Sequence, residues 1–280
     1  CAGRVARGRG AWGGASANVL RRGDKALVLG TGTSGDGWAN TGRGLGVEVE
    51  VLDFGRSVAP DWSQVEAALR ADPNIKAVLS TQVDTASSVK TDIKALRGVI
   101  DAVGHHALLA VDCVASMACD PFFMDEWGVD ITVAASQKGL MTPPGMGFVW
   151  FSEKGRDRCK ASDLRTPYWD WTARAIAEEF WQYWFGTAPT QHLYGLREAL
   201  TMILDEEGLR NVWARHATLA KAVWAAFDGW GAGNSGIILN VLQPEARGHS
   251  VTAARFEKPD ATRLRRWCGD GAGGTLWSGW

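Results

Sequence analysis

Two patterns of apolar and polar residues alternate along the chain. Short apolar runs rich in β-branched residues predict strands at residues 25–29, 47–52, 76–80, 107–111, 131–134 and 147–151. Apolar residues at helical spacing predict helices at 62–71, 90–103, 190–205 and 208–227. Because strands and helices alternate over most of the chain, the pattern indicates an α/β fold with a mostly parallel sheet.

The pattern changes after about residue 230. A glycine-rich stretch, GWGAGNSG, is followed by strand-like pieces at 237–241 and 250–255 and by a helix near 260–268. We therefore expect a large domain at residues 1–229 and the start of a smaller α+β domain at residues 230–280. We also expect the first domain to lack its N-terminus and the second to be cut short.

Composition and charge exclude several classes of partner. Of the 280 residues, 46% are hydrophobic and 22% charged, and a formal net charge of -1 gives no electrostatic basis for binding nucleic acid or an anionic membrane. No apolar run approaches the roughly 18–20 residues of a membrane span, and the first residues lack the apolar segment of a secretory signal. The five cysteines are scattered without CxxC pairs, which favours a cytoplasmic protein with reduced thiols and no metal site.

The segment 107–154 carries the most informative polar residues. Asp112 ends one apolar strand and Lys138 follows the end of another. Open α/β sheets bind ligands at the carboxyl ends of their strands, so both side chains could face one crevice, with Lys138 desolvated there. Pyridoxal phosphate (PLP) chemistry needs such a pair, a lysine for the cofactor aldehyde and a carboxylate for the ring nitrogen. The spacing alone is also compatible with a surface lysine after a strand and an aspartate that caps a turn, and this alternative remains open.

Several motifs resemble those of the class V PLP-dependent aminotransferases that use glyoxylate, the serine–, alanine– and aspartate–glyoxylate enzymes. The similar runs are VDCVAS, DEWGVD, SQKGLMTPPGMGF and LYGLREALTMI, and the likeness extends from about residue 10 to the end. The resemblance implies PLP as cofactor and the type I aminotransferase fold, with helices on both faces of the sheet. It also implies a homodimer whose active sites lie between the subunits.

The resemblance assigns roles to particular residues. Lys138 matches the Schiff-base lysine and Asp112 the partner of the ring nitrogen. Other matched positions are Gln137 as a polar contact, Val114 against one ring face, Thr187 toward the neighbouring subunit's phosphate, and Gly8 and Arg9 in the phosphate cradle. The serine expected near the ring oxygen is Ala86 here, which leaves Thr85 or Ser87 to make that contact.

Two positions depart from the family pattern. The cradle reads Arg7-Gly8-Arg9-Gly10, with glycine and positive charge but without the usual hydroxyl. Ser34 stands where an aromatic residue normally stacks on the ring, and Trp38 follows one helical turn later.

The resemblance implies transfer of an amino group from a small L-amino acid (serine, alanine or aspartate) to glyoxylate, giving glycine and a 2-keto acid. One alternative is a relative with impaired catalysis. Another is an NAD(P)-binding oxidoreductase, because Gly30-Thr31-Gly32-Thr33-Ser34-Gly35 fits G-x-G-x-x-G after a strand and Asp53 follows the next one. A cysteine desulfurase is disfavoured because Gln137, rather than a histidine, precedes Lys138.

Overall fold

A central sheet organises the chain in the computed structural model, which describes residues 2–5, 8–233, 235–257 and 260–271. Its seven strands are β1 (Ala2–Val5), β2 (Lys25–Gly30), β3 (Glu48–Asp53), β4 (Ile75–Thr81), β5 (Leu108–Asp112), β6 (Ile131–Ala135) and β7 (Met146–Phe151). Their spatial order is β1-β7-β6-β5-β4-β2-β3. Strands β2 to β6 pair in parallel and β7 pairs antiparallel with both neighbours, so the mostly parallel sheet is confirmed.

Helices follow most of these strands. They are α1 (Gly8–Val19), α2 (Thr33–Gly44), α3 (Trp62–Ala71), α4 (Ile93–Val103), α5 (Glu153–Cys159), α6 (Thr172–Ala175), α7 (Thr190–Thr201), α8 (Leu209–Gly231) and α9 (Ala261–Gly271). One apolar cluster joins α1 and α2 to the sheet and another joins α3 and α4 to it. In the described ranges, none of these helices has the length and apolar character needed to cross a bilayer.

Some predicted boundaries differ from those observed. The helix predicted at 90–103 begins at Ile93, because Lys90 bridges to Val83 and the Asp92 side chain accepts a hydrogen bond from Ala95 N–H. The helix predicted at 190–205 ends at Thr201 and continues as a π-helical turn at Met202–Glu206.

The hydrophobic pattern did not predict α1 and α2. Both sequences are rich in glycine, which disfavours an isolated helix. Their stability comes from packing: Trp12 of α1 and Trp38 of α2 are buried together in the core. Tertiary contacts therefore override a weak local propensity.

A second sheet lies in the last part of the chain. Strands β8 (Ile237–Leu239) and β9 (Ala254–Phe256) pair antiparallel, and Trp224 and Phe227 of α8 pack with Leu239. The Asn240 amide donates to the carbonyl of Ser87 at 2.8 Å, in the loop after β4. The division at residues 229 and 230 stays a prediction, and α8 runs across it to Gly231.

Candidate active site

The carboxyl end of β5 carries a buried carboxylate. Asp112 is 4% exposed, and its Oδ1 accepts a hydrogen bond from Val114 N–H at 2.7 Å. Its Oδ2 accepts a second from the Trp12 indole N–H at 2.9 Å. Both oxygens are therefore held, one by the loop after β5 and one by α1.

The surroundings make this carboxylate costly to ionise. Burial raises the pKa of Asp112 from its ordinary 3.8 to about 6. The hydrogen bonds from Val114 and Trp12 oppose that rise, whereas the nearby carboxylate of Asp84 adds to it. A cationic group against Asp112 would favour its charged form.

Lys138 lies in a turn just after β6, the strand that pairs with β5. The turn is braced by Ser136, whose Oγ donates to the Pro143 carbonyl at 2.7 Å and whose carbonyl accepts from Thr142 Oγ1 at 2.8 Å. The pairing of β5 with β6 brings the Asp112 and Lys138 segments to the same edge of the sheet. The Lys138 side chain is exposed, so the predicted desolvation is wrong for the single chain: this turn lies at its surface.

The first turn of α1 lies against the loop that follows Asp112. A Cβ at Gly8 would lie 2.9 Å from Val114 Cγ2, so a side chain at Gly8 would collide with Val114. Arg9 is exposed beside it, while Arg7 lies outside the described residues. The free N–H groups at the start of a helix form an anion site, and this one adjoins the Asp112 loop.

The loop after β4 supplies the remaining predicted contacts. Thr85 is exposed, whereas Ser87 is buried and its Oγ accepts from Val89 N–H at 3.1 Å. Thr187 is exposed in the segment before α7, and its contact with a neighbouring subunit stays a prediction.

Two residues that sequence reasoning missed are central to this edge of the sheet. Trp12 holds Asp112, and Asp84 accepts hydrogen bonds from Ser34 N–H at 2.8 Å and Gly35 N–H at 3.4 Å. A tryptophan whose ring is buried needs an acceptor for its indole N–H, so Trp12 in the sequence indicates that an acceptor exists. The sequence does not indicate which residue it is, because the acceptor lies 100 positions away.

Asp84 also removes the basis of the dinucleotide alternative. The GTGTSG segment does form a strand, a turn and the start of α2, as that motif requires. However, the Asp84 carboxylate sits in the turn, where a Cβ at Gly32 would meet its Oδ1 at 2.3 Å. A negative charge at that helix start excludes the pyrophosphate that the motif would bind.

The position expected to stack on a cofactor ring carries no aromatic side chain. Ser34 lies in the first turn of α2 and its N–H donates to the Asp84 carboxylate, while Trp38 is 1% exposed within the core. Trp38 therefore does not replace the missing aromatic residue. Across the described ranges, no group of three or more His, Cys, Asp or Glu side chains is positioned to hold a metal ion.

The fold and the sequence both match known proteins. The structure aligns with pyridoxamine–pyruvate aminotransferase from Mesorhizobium loti with a TM-score of 0.87 and 25% identity, covering 100% of this chain and 70% of the other. The serine–glyoxylate aminotransferase of Methylorubrum extorquens is 39% identical over 270 residues, covering 90% of this chain and 65% of the relative. The L-aspartate–glyoxylate aminotransferase of Paracoccus denitrificans is 39% identical over 254 residues, covering 89% and 61%.

Residues 11–268 match the family described as aminotransferase class-V, and the chain belongs to this family. The chain spans less than two thirds of the length of the two curated relatives. The resemblance drawn from the motifs and the type I aminotransferase fold are thus confirmed. Family membership implies PLP as the cofactor.

The residues at this edge of the sheet fit PLP. Asp112 retains acceptor positions beyond the two hydrogen bonds it accepts, and a carboxylate suits a protonated ring nitrogen. Gln137 Oε1 is buried and has no hydrogen-bond partner among the described residues, as expected of a group that contacts a ligand. Gly8 lets the first turn of α1 pack closely against Val114, at a helix start whose free N–H groups suit a phosphate.

Proposed function

We propose that the protein transfers the amino group of a small L-amino acid (serine, alanine or aspartate) to glyoxylate, giving glycine and a 2-keto acid. The observation that supports the proposal is that Asp112 ends β5 and Lys138 follows the adjacent strand β6, so that both segments lie at the same edge of the sheet. The printed names of the relatives supply the acceptor, glyoxylate, and two of the three donors.

In this proposal each site residue has one task. PLP, when bound, supplies an electron sink for the charge that develops on the substrate carbon. Lys138 holds the cofactor through its amine and, when free, moves a proton from the substrate Cα. Asp112 pairs with the ring nitrogen and keeps that nitrogen protonated. The supporting contacts are Gly8 and Arg9 to the phosphate, Val114 to a ring face, and Gln137 with Thr85 or Ser87 to polar atoms of the ring.

Homodimerisation and a cytoplasmic location are part of the same proposal. Large apolar side chains are exposed between residues 176 and 204, the segment that contains Thr187: Ile176, Phe180, Trp181, Tyr183, Phe185, Tyr194, Met202 and Leu204. Such a concentration of exposed apolar surface is typical of a protein interface.

Free thiols support the cytoplasmic location, because they suit a reducing compartment. They belong to Cys113, Cys119, Cys159 and Cys268.

The test is the visible spectrum of the purified protein with PLP, before and after borohydride reduction. We expect a yellow band that reduction abolishes, with the reduced cofactor attached to the Lys138 peptide as the label. We also expect a glycine-forming activity with glyoxylate. Lys138→Ala should lose the reducible band and about 10³-fold or more in turnover. Lys94→Ala, which removes an exposed lysine of α4, is the matched control and should retain both.

Other outcomes would contradict specific parts of the proposal. A label on another lysine would refute the assignment of Lys138. A protein that binds no PLP would favour the catalytically impaired relative. Sedimentation of the same sample at the mass of one chain would refute the homodimer.

A further inference from the structure

We propose that Trp12 is a positioning residue for this chemistry: its indole N–H fixes the Asp112 carboxylate in the orientation that receives the cofactor's ring nitrogen. The inference rests on the proposed function and extends it to a residue of α1. The contact that motivates it is the 2.9 Å hydrogen bond from Trp12 Nε1 to Asp112 Oδ2.

The indole itself is firmly held. Trp12 is 6% exposed and stacks on Trp38 with ring centroids 6.3 Å apart and planes 12° apart. Trp38 is anchored in turn by a hydrogen bond from its Nε1 to Ser16 Oγ at 3.1 Å. A Cβ at Gly37 would lie 2.8 Å from Trp12 Cζ3, so only glycine at this position of α2 leaves room for the ring.

The two hydrogen bonds together stop the carboxylate from rotating. Val114 N–H holds Oδ1 at 2.7 Å from the loop side, and Trp12 holds Oδ2 from the helix side. A carboxylate offers about four lone-pair directions, so these two donors leave acceptor positions in fixed directions. Fixed acceptors bind a ring N–H without reorganising when it arrives, which is the benefit of a preorganised site.

Trp12 also acts on the charge of Asp112. The nearby carboxylate of Asp84 raises the pKa of Asp112 and so disfavours ionisation of Asp112. A hydrogen bond donated to a carboxylate is stronger than one donated to a neutral oxygen, so Trp12 favours the ionised form. Val114 N–H has the same effect but belongs to the backbone, which leaves Trp12 as the side chain whose loss can be tested.

The experiment compares two substitutions that each delete one buried indole N–H from the same stacked pair. Trp12→Phe removes the donor to Asp112, whereas Trp38→Phe removes the donor to Ser16 and serves as the matched control. Wild type and both variants are loaded with PLP. The measurements are the dissociation constant of PLP and the pH midpoint of the bound cofactor's visible absorbance.

We expect Trp12→Phe to raise the PLP dissociation constant about tenfold, the effect of losing one hydrogen bond to a charged group. It should also raise the absorbance midpoint by about half a pH unit or more, because a less firmly protonated ring withdraws less charge from the Lys138 linkage. Trp38→Phe keeps an aromatic ring beside Trp12 and leaves the donor to Asp112 in place, so it should change both quantities much less than Trp12→Phe, although its melting temperature falls.

Gly37→Ala is a second variant that retains the indole but displaces it, and it should move both quantities in the same direction as Trp12→Phe. The inference would be overturned if Trp12→Phe and Gly37→Ala both had the PLP dissociation constant of Trp38→Phe and the absorbance midpoint of wild type. That result would leave the proposed function intact. A wild-type protein without a Lys138-dependent band would refute the proposed function and this inference with it.

Discussion

At the scale of the residue, Asp112 shows how a buried carboxylate is tolerated in this fold. Within the described part of the chain no cation pairs with it, and two hydrogen bonds from Val114 and Trp12 are its support. They offset part of the desolvation cost, and the pKa of Asp112 still rises to about 6. A cationic group against Asp112 would offset this cost, because a neighbouring opposite charge favours the charged form of a carboxylate.

The raised pKa predicts a pH dependence of stability in the protein without cofactor. Because the folded-state pKa of about 6 lies above the ordinary 3.8, the folded state retains the Asp112 proton more tightly than the unfolded chain does. This contribution is fully present below pH 3.8 and is lost as the pH rises through 6. The total is about 3 kcal/mol, and about half of it falls above pH 5.

Asp112→Asn removes this contribution and provides the measurement. We expect the free energy of urea unfolding of wild type, relative to Asp112→Asn, to fall by about 1–2 kcal/mol between pH 5 and pH 7.5. Subtracting the variant's curve cancels the titration of groups that the two proteins share. Parallel curves over this range would mean that Asp112 is not protonated more readily in the folded state.

At the scale of the element, the start of α2 depends on a carboxylate from another strand. No side chain of α2's own N-cap, Gly32, is available to accept its first N–H groups. Asp84, in the loop after β4, accepts from Ser34 and Gly35 and also from Ala86 N–H at 2.9 Å. One buried side chain thus orders a helix start and the loop of Thr85 and Ser87.

Asp84→Ala should therefore destabilise the protein by about 1–3 kcal/mol, because it leaves buried N–H groups without an acceptor. The matched control is Asp61→Ala, which removes the exposed N-cap of α3 and should cost about 0.5–1 kcal/mol. Urea unfolding of both variants measures the difference. Equal losses would show that the Asp84 contacts contribute no more than an ordinary surface cap.

At the scale of the whole molecule, the Asn240 amide is one of several contacts that join the segment after β8 to loops of the first sheet. Asn240 follows β8, and its Nδ2 donates to the carbonyls of Ser87 and Arg56. Its Oδ1 accepts from Ser57 Oγ at 3.1 Å, so the side chain links the segment after β8 to loops on the carboxyl side of β3 and β4.

We predict that Asn240→Ala loosens residues 237–256 without unfolding the seven-stranded sheet. The loss leaves buried carbonyls unpaired, at a cost of about 1–3 kcal/mol. Hydrogen exchange should quicken in β8 and β9 and stay slow in β4 to β6. Gln243→Ala, at an exposed position of the same segment, is the control, and exchange as slow in Asn240→Ala as in this control would contradict the prediction.

The sequence by itself determined the strands of the central sheet, and it predicted the pair of residues to which we assign the chemistry. Strands β2 to β7 were predicted to within one or two residues, because β2 and β4 to β7 are short continuous apolar runs and β3 alternates apolar with polar residues. Asp112 and Lys138 followed from the same reasoning, since a polar residue just after such a run lies at the carboxyl edge. The SQKGLMTPPGMGF run then indicated the family that the comparisons confirm.

Tertiary structure alone decided what surrounds that pair. The glycine-rich sequences of α1 and α2 have little helical pattern, and their helices form because Trp12 and Trp38 bury their rings together. The contacts of Trp12 with Asp112 and of Asp84 with Ser34 join residues 100 and 50 positions apart. Local periodicity carries no information about such pairs, because they form only when the sheet brings separate segments to one edge.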